Sequence, residues 1–300
     1  LFMLISGYLF FFSFRKRSLK ELLIHRTQSL LQPIIMCGIL FFLLCDVLFE
    51  AVSGAYTAIL GGGWINHLTE YWFLWSVLAA SLTVALACKL TGKVWLQMIF
   101  LILGVVFVAL FPCMQENIYM YPYFVIGFLY AKFGDNKIMK TISKLKYVSL
   151  IAFPVMMLFF RKEHYIYTSG LAGTEGLVRH MPVNLYRWAI GLIGSLFLLT
   201  VLELLYMLIK KKLRLSSFHL VEKLGKKSMP VYILSCIFLS KYLPIVYGKF
   251  TGAVGYNIFA QNMIMYSIFT LFLAICYSFG LLLLVWVFEK MNISKLLFGR

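Results

Sequence analysis

Residues 71–93 read YWFLWSVLAASLTVALACKLTGK, an unbroken apolar run over 71–88 that opens on Tyr71 and Trp72 and is closed by Lys89 and Lys93. A soluble helix of that length would carry a polar face. This one offers only Ser76, Ser81 and Thr83 among its apolar residues. A helix that crosses hydrocarbon needs about 20 mostly apolar residues, because only a closed internal ladder satisfies backbone groups there. The stretch therefore predicts a membrane span with aromatics at one end and cations at the other.

Further runs of the same kind lie on both sides of it. The spacing predicts spans at about 34–53, 94–111, 117–132, 147–160, 188–209, 229–247 and 259–286. Residues 1–14 form a ninth run that is too short to cross alone. The composition agrees, with 62% hydrophobic and 13% charged residues and a mean hydropathy of +0.89. The expected fold class is all-α, a polytopic membrane helical bundle of about nine spans, forming a single transmembrane domain over 1–300 with no separate soluble domain.

Loop charge orients the spans. Segments 15–33, 89–93, 132–146, 210–228 and the tail hold 22 of the 28 Lys and Arg residues, and the alternate loops hold five. The positive-inside rule places the basic set in the cytoplasm. That accounts for the +17 net charge through topology, without nucleic-acid binding. Residues 1–14 must then run from outside to inside. A helix carrying the chain outward is expected ahead of them, which makes ten spans with both ends cytoplasmic. The six cysteines show neither CxxC nor zinc-type spacing, so no metal site and no disulfide framework is expected.

Several polar segments are candidates for chemistry. Residues 14–33, FRKRSLKELLIHRTQSLLQP, place Leu19, Leu22, Leu23, Leu30 and Leu31 at near-helical spacing, with Lys20 and Arg26 between them and Arg17 just ahead. Such a helix can lie on anionic lipid headgroups. It can also hold a phosphorylated cytosolic ligand, for which the planar fork of Arg26 is suited. Segment 210–227 carries the same two readings. Asp46 and Glu50 stand four apart on one face of the span 34–53, Asp46 about 20 Å from its start. Carboxylates at that depth face a cavity or a partner. They suit a proton relay, a general base or a sugar-hydroxyl acceptor, and equally a structural ion pair with Arg187, Lys241 or a histidine. His67 and Glu70, three apart in NHLTEYWFL (66–74), form either an interfacial aromatic belt with Tyr71 and Trp72 or a polar lip with His67 as base. The outer loop 161–187 adds mixed charges and aromatics, ending at Arg187. Glu203, within a span, is expected to pair with a base near the cytoplasmic side.

In chain order, several elements resemble the acyltransferase 3 family of membrane O-acyltransferases. FMLISGYLF (2–10) is similar to its second helix, where an ISGY-type element recurs. Arg26 seven residues before Pro33 resembles its cytoplasmic Arg motif, with Ser29 where a second Arg falls and Lys20 and Arg17 as neighbouring cations. Trp72-Phe73-Leu74 resembles its WFL element. YRWAIGLIGS (186–195) and SMPVYIL (228–234) resemble late helices, and NISKLLFGR its ending. Fucose 4-O-acetylase-like and polysaccharide-modifying members look closest. The family's histidine-bearing first helix has no counterpart here, in line with the expected preceding helix.

The resemblance implies transfer of an acyl group, commonly acetyl, from cytosolic acyl-CoA to a sugar hydroxyl of a cell-surface or lipid-linked glycan. It implies no bound cofactor, with acetyl-CoA as donor substrate, and a multi-pass location in a bacterial-type inner membrane with the C-terminus in the cytoplasm. On that reading Arg26, Arg17 and Lys20 bind the donor, while Trp72, Glu70 and Arg187 shape the acceptor site or channel. His67, Asp46 and Glu50 are the catalytic candidates. The competing expectations are a transporter or flippase for a lipid-linked glycan, which would show an internal repeat, and a non-catalytic membrane scaffold.

Overall fold

The apolar run at 72–89 is helical throughout. The structure, a computed structural model, describes residues 1–43, 67–134, 136, 140–141, 144–164, 181–210, 222, 225–237 and 263–298. In chain order the helices are α1 (Phe2–Lys16), α2 (Leu19–Arg26), α3 (Gln32–Phe41), α4 (Trp72–Lys89), α5 (Val94–Val108), α6 (Met114–Phe133), α7 (Ser149–Leu158), α8 (Met181–Lys210), α9 (Ser228–Ile237), α10 (Met263–Lys290) and α11 (Ser294–Phe298). A π-helical stretch, Thr27–Leu31, joins α2 to α3, and a 3₁₀ turn, Leu145–Val148, leads into α7. The described residues contain no strand.

Three described helices are long and apolar enough to cross a membrane: Trp72–Lys89, Met181–Ile209 and Leu271–Lys290. Val94–Val108 and Lys146–Leu158 are shorter apolar helices. Their surroundings differ sharply. The span window in α4 is 72% buried, against 11% for those in α8 and α10. Leu198, Leu202, Leu205 and Leu208 of α8 are exposed, which is the surface a helix shows to lipid rather than to water.

The chain divides into two compact units, one formed by 1–27 and 72–215, the other by 28–71 and 216–300. In the first, α1 and α6 make the most extensive contact. A Cβ added at Gly7 would run into the Phe124 carbonyl, and one at Gly127 into the Leu4 carbonyl. Two glycines, one on each helix, thus let the backbones touch. Close approach of this kind drives helix association where lipid gives no hydrophobic force between helices. α4 packs against α6, α5 and α2, and α7 against α8.

In the second unit α3 packs against α11. Gln32 Nε2 donates to the carbonyls of Lys295 (3.4 Å) and Leu296 (3.1 Å), which a five-residue helix cannot satisfy itself. Asn292 at φ 56° makes the left-handed turn between α10 and α11, a conformation asparagine tolerates. Lys227 pairs with Glu289 at 2.6 Å across α9 and α10.

One expectation needs correcting. The outer loop read as 161–187 ends earlier, because α8 begins at Met181. Pro182 suits a first helical turn, and Arg187, whose charge truncated the apolar run, lies within the helix. Asp46, Glu50, Lys241 and most of the loop 54–70 lie outside the described residues.

Candidate functional site

At the Lys/Arg-rich end of the first unit, α2 is set by a capping box. Ser18 Oγ accepts from the Glu21 N–H (3.4 Å), and Glu21 Oε2 accepts from the Ser18 N–H (3.0 Å). That backbone bond, with the Ser18 hydroxyl next, holds the exposed Glu21 carboxyl below its usual range. Leu22 is fully buried and anchors α2 while the helix packs on α4. This delivers Arg26 to the last turn, where a cation complements the helix dipole. Its guanidinium carbon lies 4.7 Å from the centre of the Phe10 ring. Phe10 is itself fully buried and sits among Phe124 (5.5 Å), Phe128 (6.0 Å) and Phe14 (6.1 Å). The backbone then widens into the π-helical stretch Thr27–Leu31, a local geometry that recurs at functional sites. Arg17 instead donates to Ser13 one turn back on α1, and Lys20 is exposed. Of the three sequence-predicted cations, Arg26 is the one seated on the aromatic floor.

The opposite ends of the same helices enclose a cavity of about 250 Å³ lined by Phe2, Trp72, Phe73, Tyr119, Tyr123 and Gly191, among others. Phe73 meets Trp72 and Phe2 edge-on at 6.1 and 6.3 Å. Tyr123 Oη donates to the Trp188 carbonyl (3.0 Å), and a Cβ at Gly191 would collide with that hydroxyl. Trp72 is held from behind. The Ser76 hydroxyl proton is shared between the Trp72 carbonyl (2.9 Å) and Asn117 Oδ1 (2.8 Å). The buried Asn117 donates through Nδ2 to the carbonyls of Val108 (3.2 Å) and Pro112 (2.8 Å). One amide therefore ties α4, α5 and α6 together beside the cavity. Sequence reasoning missed Asn117, Ser76, Tyr123 and Phe10. Two of these had a signal: Asn117, an amide at the start of the run 117–132, and Ser76, a hydroxyl within the run 71–88.

The remaining candidates fall in separate places. Arg187 is 4% exposed and its donors are taken up: Nη2 by the Glu163 carbonyl (2.8 Å), Nε by the His164 carbonyl (3.0 Å) and Nη1 by Asn184 Oδ1 (3.1 Å). It fastens the turn Lys162–His164 to α8, where the His164 ring lies 4.3 Å from Tyr186. In the second unit His67 is buried beside Phe42 (6.5 Å between ring centres), with its Nδ1 4.0 Å from Glu70 Oε1. That separation is an ion-pair distance when the imidazole is protonated. Glu203 accepts from Lys146 Nζ, the pairing its place in a span led us to expect. The bond to Glu203 is the main reason that the Lys146 ammonium is held above its ordinary value.

Comparison with curated proteins and with solved structures returns no match. The acyltransferase-domain family does match, and it does so over residues 1–289. The matched region takes in the ISGY-bearing α1, the Arg26 segment, the WFL start of α4 and both late helices. A match running through nearly the whole of an apolar, all-helical chain makes this protein a member of the acyltransferase 3 family, a family of acyl-transferring enzymes.

Proposed function

We propose that this acyltransferase moves an acetyl group from cytosolic acetyl-CoA to a sugar hydroxyl of a cell-surface or lipid-linked glycan, working across a bacterial-type inner membrane. One observation carries the reading. Within the first unit α1, α4 and α6 all begin at the aromatic cavity and end in basic residues (Arg15 and Lys16, Lys89, Lys132). From Trp72 to Lys89 the helix rises about 25 Å, close to the thickness of the hydrocarbon core. A donor held at the cationic end by its phosphates could extend its thioester arm inward. The cavity at the other end, walled by Trp72 and two tyrosines, suits an acceptor with apolar faces and hydroxyl edges.

In this scheme Arg26 grips donor phosphate, with Arg17 and Lys20 adding to the surrounding positive field. The acceptor hydroxyl oxygen attacks the thioester carbonyl and the carbon–sulfur bond breaks. The hydroxyl proton passes to a base and then to the departing CoA thiolate. We assign that role to His67 from its chemistry alone, with Glu70 beside it in the second unit. Asp46 or Glu50, from the expected span 34–53, would orient a polar group. Arg187 acts on the acceptor side indirectly, by fixing the turn Lys162–His164.

The test uses membranes of the native host carrying the protein and acetyl-CoA labelled in the acetyl group. Label should appear in lipid-linked or polymeric sugar. Arg26→Gln should raise the KM for acetyl-CoA about tenfold, the loss expected for a hydrogen bond to a charged group. Trp72→Ala should lower transfer without that change in donor KM. Confirmed insertion with no label in any glycan would end the proposal.

A further inference from the structure

The phenylalanine floor under Arg26 carries a second cation. Lys89, the last residue of α4, places its Nζ 4.6 Å from the centre of the Phe14 ring. Phe14 and Phe10 are neighbours on one helix, their ring centres 6.1 Å apart, and both touch Phe128 (5.4 and 6.0 Å). Two positive charges from different helices thus rest on adjacent rings of one aromatic cluster. Like charges gather at a modest cost when each lies over the negative face of a ring, and the arrangement gains most when an anion joins them.

We propose that Lys89 and Arg26 together form a two-cation site for the phosphates of the nucleotide-borne donor, with Phe10 and Phe14 as its positioning residues. This inference rests on the donor-binding role given to Arg26 above. The second cation comes from another helix, α4, where no local motif would reveal it. The chemistry divides naturally. Arg26 offers a planar fork and Lys89 a compact charge with rotatable donors, a combination suited to two non-equivalent phosphate groups of one ligand. Lys89 is exposed, and the Phe14 ring gives its ammonium a seat. An anionic lipid headgroup carries the same phosphate chemistry and is the rival occupant.

The experiment is equilibrium binding of CoA itself to the full chain in nanodiscs, which requires neither acceptor nor turnover. Two lipid mixtures are compared, pure phosphatidylcholine and phosphatidylcholine with phosphatidylglycerol. Lys89→Gln should weaken CoA binding about tenfold in both mixtures, and Lys89→Arg should restore most of it. Phe14→Leu keeps an apolar side chain but removes the ring face, and should weaken binding about threefold, with Phe14→Tyr recovering it. A packing defect would lower thermal stability, and Phe14→Tyr would not repair it selectively. Binding unchanged by Lys89→Gln while Arg26→Gln weakens it would overturn the two-cation site. So would a Lys89→Gln effect confined to the anionic mixture, which would assign Lys89 to the headgroup. If the unmodified chain binds no CoA in either mixture, the donor reading of Arg26 fails first and this inference with it.

Discussion

Asn117 shows how a single side chain can govern the aromatic cavity. Its amide donates to the Val108 carbonyl at the end of α5 and to the Pro112 carbonyl in the loop, and accepts from Ser76, whose hydroxyl also reaches the Trp72 carbonyl. Asn117→Ala leaves buried groups unmatched and should cost about 2 kcal/mol, read as a lowered Tm in detergent, with reduced transfer through the loosened Trp72. Asn117→Leu should do no better, since shape without donors leaves the same carbonyls bare. Cys113 gives a pH readout at the same end of α6. It begins the helix in a left-handed conformation (φ 62°), and burial, with Glu116 adding to it, pushes its thiol up to about 11. The thiolate is the reacting form. In a variant with Cys113 as its single cysteine, maleimide labelling at pH 8 should run about a hundredfold slower than for a thiol of ordinary pKa, and climb as the pH approaches 11. Fast labelling at pH 8 would mean that the thiol is open to water. Arg26 and Trp72 were legible as candidates because charge and aromaticity stand out in a row of letters. Phe10 was not, since a phenylalanine among phenylalanines becomes a platform only when a guanidinium is laid on it.

Among the elements, the α1–α6 crossing is the one most exposed to mutation. Gly7 faces the Phe124 carbonyl and Gly127 the Leu4 carbonyl, so neither position has room for a side chain. Gly7→Leu and Gly127→Leu should each destabilise by at least about 1–3 kcal/mol, the ordinary cost of overpacking. Alanine at either site should be milder yet still measurable by Tm. An exposed control such as Ile102→Ala on α5, 72% accessible, should change little. The helix boundaries show where periodicity succeeds and where it stops. Runs expected at 71–88, 94–111 and 117–132 appear as Trp72–Lys89, Val94–Val108 and Met114–Phe133. At 188–209 hydropathy lost the first turns, because Arg187 reads as a loop residue until its guanidinium is seen bonded to two carbonyls. The capping box at Ser18 and Glu21 went unread until the structure showed both bonds, and neighbours in space give α2 its place on α4.

For the molecule as a whole, the scheme depends on sidedness. In a cysteine-free background, Lys20→Cys and Lys93→Cys should label with an impermeant reagent only after the cytoplasmic face is opened. Cysteine placed at Arg161, which is exposed on the opposite kind of loop, should label in intact cells. Reversed accessibility would put the donor cations on the wrong face for a cytosolic thioester. Composition alone determined that this chain is helical and apolar, because hydrocarbon tolerates few backbone solutions, and loop charge set the expectation for its orientation, because cations cross hydrocarbon poorly. The motifs placed it in its family. Tertiary structure decided which residues meet: that α1, α4 and α6 share an aromatic cavity, that Arg187 is an anchor rather than a free cation, and that Lys89 joins Arg26 over paired rings. Sequence order carries no record of such meetings. They arise from helices packed side by side, where residues tens of positions apart become neighbours.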